Sequence, residues 1–341
     1  MKTTSPLLRL AVVCALTFNL PAWAGKTLDQ IKQRDQVTCG VNTGIAGFSA
    51  ADSQGKWSGM DVDVCRALAA AVLGSPDKVR YVPLSAPQRF TALQSGEVDI
   101  LSRNTTVTLS RDTALGLSLT AVMFYDGQGF MVPAKSGIKS AKELGGATIC
   151  VQPGTTTELN LADYFRRNKM TFKPVLIEKL DELLQAFAAG RCDSYTTDAS
   201  GLAAARAGQL SGKGDYTILP ERISKEPLGP MVRHGDDQWL DLVKYVLDGM
   251  IEAEELGITQ ANIDEMAKSD DPAIKRFLGV TPGYGKAVGV DEKWMYNVIK
   301  QVGNYGDSFE RNVGTKTPLK LERGQNALWT NGGLMYAIPF R

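Results

Sequence analysis

The most chemically suggestive spacing in the chain is an arginine five residues after a threonine, behind a short apolar run. Residues 99–112 read DILSRNTTVTLSRD. Ile100 and Leu101 open into Ser102, Asn104, Thr105, Thr106 and Thr108, with Arg111 following. This pattern predicts a buried strand ending in a lip of hydrogen-bonding groups. In open α/β sheets ligands sit outside the carboxyl ends of such strands. An arginine there offers a planar fork of donors matched to a carboxylate. Two further stretches complement it. RCDSYTTD ends in Asp198, an anion suited to an ammonium group. GTTTE places Thr155 and Thr156 at the start of an expected helix, where free N–H groups and the positive dipole end favour an anion. With Asn104 and Thr106 adding uncharged hydrogen bonds, the set describes a clamp for a zwitterion. Each member also fits a plainer role: Thr155 and Asp198 as caps of the helices that follow, Arg111 as a surface partner of Asp112.

The elements that must position these residues alternate strand and helix. A β run at 37–41 precedes a hairpin signal and a helix with Asp61 as its expected N-cap and Val64, Leu68 and Val72 at spacing four, ending at Gly74. Strand 79–84, a helix from Pro87 to Ser95 and strand 98–101 lead to the lip. The pattern restarts with a helix at 140–144, strand 148–151, the helix opened by Thr155, strand 174–177, and a helix at 180–189. That last helix carries Leu180, Leu183, Leu184 and Phe187 on one face. The alternation predicts parallel α/β sheets. Aligning Gly96 with Gly190 exposes an internal repeat: Phe90 falls on Leu184, Leu93 on Phe187, Asp99 on Asp193 and Asn104 on Asp198. VTCGVNTG and TICVQPGT match in the same way. A ligand held between two such lips would touch both copies. The long helix 237–256 follows, and the remaining chain to Arg341 repeats nothing in the second unit; its expected place is on the first.

Composition sets the outer bounds. The chain has 341 residues, 43% hydrophobic and 22% charged, enough for two domains of an ordinary globular protein. Lys2 and Arg9, the apolar run to Leu20, and Ala22-Trp23-Ala24 spell a secretory leader cleaved after Ala24. Losing Lys2 and Arg9 takes the formal charge from +1 to −1, too near neutral to attract nucleic acid or an anionic membrane. Cys39, Cys65, Cys150 and Cys192 remain, an even number that suggests two disulfides in an exported chain. Three connectivities are open; Cys39–Cys65 with Cys150–Cys192 keeps each bridge inside one expected lobe. One histidine, His234, supports neither a Cys/His metal site nor a catalytic triad, and no cofactor is expected.

The stretches GFSAADSQGKWSGMDVDVCRALA, RFTALQSGEVDIL, the turn ending at Arg111, GTTTE and the aspartate of YTTD resemble those of periplasmic amino-acid-binding proteins of ABC transporters. The longer tail, with QVGNYGDSFERN and NALWTNGGLMYAIPFR, is similar to the general L-amino-acid branch. The resemblance implies a two-lobed, type II Venus-flytrap fold, each lobe a mostly parallel sheet flanked by helices, with a C-terminal helical extension. It implies lobe 1 at 25–130 and again from 228, and lobe 2 at 131–227. Crossings are expected near 129–133 and 224–230. It assigns Arg111, Thr155 and Thr156 to an α-carboxylate and Asp198 to an α-ammonium. The implied partners are a free L-amino acid, with polar and acidic side chains favoured, and an inner-membrane permease; the implied state is a periplasmic monomer. Many relatives carry an aromatic wall after the first strand, where this chain has Ile45. Ser85, Gln88 and Arg89 lie near the family's side-chain contacts but equally suit an exposed helix. The competing class is an exported dehydratase or hydrolase on the same fold.

Overall fold

A computed structural model describes residues 26–341, so the expected leader, its cleavage point and Cys14 lie outside the described residues. The chain opens with helix α1 (Lys26–Arg34), strand β1 (Val37–Asn42) and a small hairpin of β2 (Ala50–Ala51) and β3 (Trp57–Ser58). Helix α2 (Met60–Leu73), β4 (Val79–Leu84), α3 (Gln88–Ser95), β5 (Ile100–Leu101), α4 (Leu109–Thr113) and β6 (Leu117–Leu119) complete a first unit. Strand β7 (Phe124–Asp126) carries the chain to β8 (Gln128–Pro133), β9 (Thr148–Val151), α5 (Thr156–Arg167), β10 (Lys173–Leu176), α6 (Leu180–Ala188), β11 (Ser194–Asp198), α7 (Ala199–Ala207) and β12 (Tyr216–Ile218). It returns through β13 (Glu226–Leu228) to β14 (Met231–Arg233) and the long helix α8 (Asp237–Glu255). The tail adds α9 (Ile263–Met266), α10 (Pro272–Phe277), α11 (Tyr284–Val288), α12 (Trp294–Gln301) and α13 (Tyr305–Asn312).

The repeat read from sequence reappears as matching topology. One sheet runs β4-β1-β5-β14-β6 and the other β10-β9-β11-β8-β12. In each, three parallel strands meet a single reversed strand, β14 or β8, and a fifth strand restores the first direction. Cys39 on β1 stands opposite Ile100, and Cys150 on β9 opposite Tyr195. Both disulfides join the expected partners, Cys39–Cys65 and Cys150–Cys192. The first ties β1 to α2, the second ties β9 to the approach of β11.

Between the sheets the chain crosses twice, and the two crossings pair with each other: Phe124, Tyr125 and Asp126 of β7 lie antiparallel to Leu228, Pro227 and Glu226 of β13. The second, β13, falls within residues 224–230. The first lies earlier, because residues 129–133 belong to β8 inside the second sheet; a boundary between 130 and 131 would cut that strand. FYDGQGFMVP is extended throughout, and only Gly127 marks the join. A Cβ there would stand 2.9 Å from the Ser224 carbonyl, so the two crossings approach as closely as glycine allows.

Local expectations hold where periodicity is strong. On α6, Leu180, Leu183, Leu184 and Phe187 are all buried. Helix α8 buries Val243, Val246, Leu247, Met250 and Ile251, but Leu240 is only half-buried while Trp239 and Leu242 go inside. The segment at 140–144 forms a single 3₁₀ turn. Asp61 is not the cap of α2; Gly59 precedes the helix and Asp61 lies buried in its first turn. The tail packs on the first sheet's core, where Trp294, Val298, Tyr305 and Phe309 join β1 and α2. Ser308, Arg311 and Asn312 of α13 all donate to the buried Asp63 of α2.

Candidate ligand-binding cleft

Both lips point into one cleft between the sheets. Asn104 follows β5 with φ 35°, a left-handed conformation that asparagine tolerates better than most residues. Its backbone N–H donates to both carboxylate oxygens of Asp61, at 3.1 and 3.3 Å, which holds the turn. Burial lifts the Asp61 carboxyl to about 6, opposed by that hydrogen bond and by Arg103. Across the cleft, Asp198 ends β11 and precedes α7, yet its side chain makes no capping bond to that helix. It accepts from Asn104 Nδ2 at 3.5 Å instead. The repeat alignment had set these two residues opposite each other. Asp198 is buried, and desolvation with the nearby Asp126 and Glu226 holds its carboxyl well above the ordinary range; Arg89 and Asn104 oppose the shift. A cation placed beside it would relieve that cost.

Arg111 sits on α4, only 7% exposed. Thr108 caps that helix, accepting from the Arg111 N–H, and Arg111 Nη1 donates to the Thr106 carbonyl at 2.6 Å. The guanidinium lies 4.9 Å from the Phe90 ring centre. Burial lowers its pKa to about 10, with Glu226 and Asp198 opposing, so it is cationic at neutral pH. The plain reading as a surface partner of Asp112 fails; Asp112 instead lies 3.7 Å from His234. Thr106 and Thr156 bring their hydroxyls to 3.3 Å of each other across the cleft. Thr155 behaves differently. It is the N-cap of α5, its hydroxyl accepting from the Glu158 N–H and donating to the Gln152 carbonyl. That hydroxyl is committed to the helix start, so only the end of the helix faces the cleft on its behalf.

Asn104 thus pairs with Asp198, Thr106 links Arg111 to Thr156, and the charge of Asp198 reaches Arg111, with Thr155 behind them. Two residues join them that sequence reasoning left out. Arg89, 3% exposed, stacks 4.7 Å from the Phe90 ring, and its Nε has no hydrogen-bond partner among the described residues. Burial and the neighbouring Arg103 and Arg111 push its pKa well down, with Asp198 opposing. Its signal was present in the RFTAL stretch but not separable from a surface helix. Glu226 is the second, and nothing in its local sequence marks it. Beside the cluster lies a cavity of about 340 Å³ lined by Ile45, Asn104, Gln152, Tyr195, Thr197 and Gln209 among others. Ile45 supplies an apolar wall to it. Opposing rims also touch: Ser85 donates to Glu178 at 2.6 Å.

Comparison with known proteins places this arrangement. Residues 37–262 match the bacterial extracellular solute-binding proteins, family 3. The general L-amino acid-binding periplasmic protein AapJ of Rhizobium johnstonii is 56% identical over 338 residues, 98% of this chain and 99% of that protein. The glutamate/glutamine/aspartate/asparagine-binding protein BztA of Rhodobacter capsulatus is 57% identical over 321 residues, 94% of this chain and 95% of its own. A periplasmic binding protein of Brucella ovis, solved with glutathione bound, superposes with a TM-score of 0.91 at 54% identity, covering 94% of this chain and all of that one. The two-sheet fold, the paired crossings and the match over most of the chain agree: this protein belongs to family 3 of the bacterial extracellular solute-binding proteins.

Proposed function

We propose that the chain captures free L-amino acids outside the cytoplasm and delivers them to an ABC permease. One observation carries this reading above the others: a buried guanidinium, Arg111 on α4 of the first unit, and a buried carboxylate, Asp198 at the end of β11 in the second, share one cleft. An α-amino acid has the opposite charges on adjacent carbons, so it can satisfy both at once. Arg111 and the N–H groups at the start of α5, from Thr156 onward, take the α-carboxylate, with Thr106 lining its place; Asp198 with Asn104 takes the α-ammonium. Arg89, with an unpartnered donor, suits a polar or acidic side chain. The names of AapJ and BztA, covering amino acids in general and the acidic and amide ones, support both halves. Capture proceeds by the two lobes closing about the β7–β13 pair, a hinge of the kind such domains use. Removal of the leader after Ala24 would release a monomeric periplasmic protein.

The enzyme alternative finds little to work with. His234 sits by Asp112 on the surface, not in the cleft, and the hydroxyls of Thr106 and Thr156 both donate to the Glu226 carboxylate. The test is calorimetric titration of the refolded mature protein with the twenty L-amino acids, their α-keto acids and glutathione, which carries the same α-amino-acid head on its glutamyl end. Tight binding of several amino acids with keto acids ignored is the expected result. Turnover of any titrant, or no amino-acid binding, would overturn the proposal.

A further inference from the structure

Glu226 belongs to neither lip, yet its carboxylate is fully enclosed at 1% exposure and accepts four hydrogen bonds. Oε2 receives Thr106 Oγ1 at 2.6 Å and Thr156 Oγ1 at 2.9 Å. Oε1 receives Asn160 Nδ2 at 2.7 Å and Ser224 Oγ at 2.5 Å. The partners come from three places. Thr106 belongs to the first lip, Thr156 and Asn160 to the first turns of α5 in the second unit, and Ser224 to the approach of β13.

The backbone decides which way Glu226 moves. Thr106 forms a bridge with Leu228, the Val107 N–H donates to the Pro227 carbonyl at 2.9 Å, and the Gly229 N–H donates to the Thr105 carbonyl at 3.1 Å. Strand β13 is thus stitched to the lip of the first unit. No comparable backbone bond joins it to α5 among the described residues; α5 reaches it through two side chains alone. Rotation about the crossing pair would carry Glu226 with the first lobe and part it from Thr156 and Asn160.

We infer that Glu226 is a latch: a positioning residue gripped by Thr156 and Asn160 only when the lobes are closed. All four partners are protein groups, so the grip does not depend on a ligand, and it gives the ligand-free protein a closed population. It also holds both threonine protons on Glu226, so in the closed form the ligand carboxylate is left to Arg111 and the N–H groups at the start of α5. That last consequence rests on the amino-acid reading above; the latch itself does not.

The experiment uses the full mature protein carrying Leu109→Cys and Leu159→Cys, at exposed positions on α4 and α5, one in each unit. The four described cysteines are in disulfides and leave these two free for spin labels. Pulsed electron resonance gives the distance distribution without ligand and with L-glutamine; stopped flow gives the rates. The ligand-free parent should show a short-distance population that shrinks in Glu226→Gln and in Asn160→Ala. Dissociation should accelerate about tenfold, as expected for loss of contacts made only in the closed form, while association changes far less. A ligand-free parent without a short-distance population would overturn the latch. So would variants whose distances and dissociation rates overlay the parent, even with a lowered melting temperature. Should Glu226→Gln fail to fold, Asn160→Ala decides alone. If the parent binds no amino acid, the amino-acid reading falls and the ligand-free distances still judge the latch.

Discussion

Replacing Arg111 is the sharpest perturbation of the cleft, because the structure sets both its size and its ordering. In Arg111→Ala the ligand carboxylate loses the cation assigned to it while Glu226 and Asp198 remain buried nearby. Truncating one member of a buried, hydrogen-bonded charge pair costs about 2–5 kcal/mol. At 1.4 kcal/mol per decade that is a roughly thirty- to several-thousandfold rise in Kd. The two neighbouring carboxylates, with one cation fewer beside them, push the expectation toward the upper half. Arg111→Lys keeps the charge but forfeits the planar fork, the contact with Phe90 and the bond to the Thr106 carbonyl. A lysine is therefore expected between the two, about 1–3 kcal/mol weaker than the parent. The assay is isothermal calorimetry with L-glutamine at pH 7, with a thermal melt to show that each variant is folded. A folded Arg111→Ala protein binding within about threefold of the parent would refute the reasoning, since no buried pair breaks that cheaply.

Asp198→Asn should weaken amino-acid binding roughly a hundredfold and leave any residual keto-acid binding unchanged, while raising stability near neutral pH because a costly buried charge is gone; titration and melting separate the two effects. Asp248 on α8 is buried with Oδ2 unpartnered among the described residues, and burial lifts its carboxyl to about 6. Its folded form thus holds a proton that the unfolded chain releases near 3.8, so its contribution to stability is full below that value and lost as pH rises through 6. Asp248→Asn should accordingly gain about 1–3 kcal/mol over the parent at pH 8 and nothing at pH 3.5, read from denaturant midpoints. Gly59 precedes α2 at φ 127°, and a Cβ there would stand 2.1 Å from the Phe48 carbonyl oxygen. Gly59→Ala should destabilise by more than about 1 kcal/mol on strain and clash together, lowering the melting temperature by several degrees.

What could be read from the chain was what repeats or what alternates. The 3.6-residue period of α6, the strand-helix alternation and the correspondence of Gly96 with Gly190 rest on local rules, and the two sheets reproduce them in matching order. Asp198 could be singled out because its partner copy, Asn104, stands at the same place in the repeat. Other features depend on distant segments. Asp63 looks like a surface residue of an amphipathic helix until α13, 245 positions later, supplies its donors. The first crossing lay hidden because one extended run serves both the crossing and β8. Asp61 was expected at a helix start and instead supports the lip beneath Asn104, since a glycine with room for close approach took the cap. Thr155 carried two compatible meanings, and its hydroxyl serves the helix. Glu226 sits in a stretch of ordinary turn composition; only the meeting of two lobes gives it four partners.

A crystal structure of the refolded protein with L-glutamine tests the central claim most directly. The account predicts the α-carboxylate within about 3.2 Å of the Arg111 guanidinium, near the start of α5, and the α-ammonium on Asp198. The side-chain amide should reach toward Arg89. A ligand lying wholly in the cavity beside Ile45 and Gln209, with Arg111 and Asp198 untouched, would contradict it.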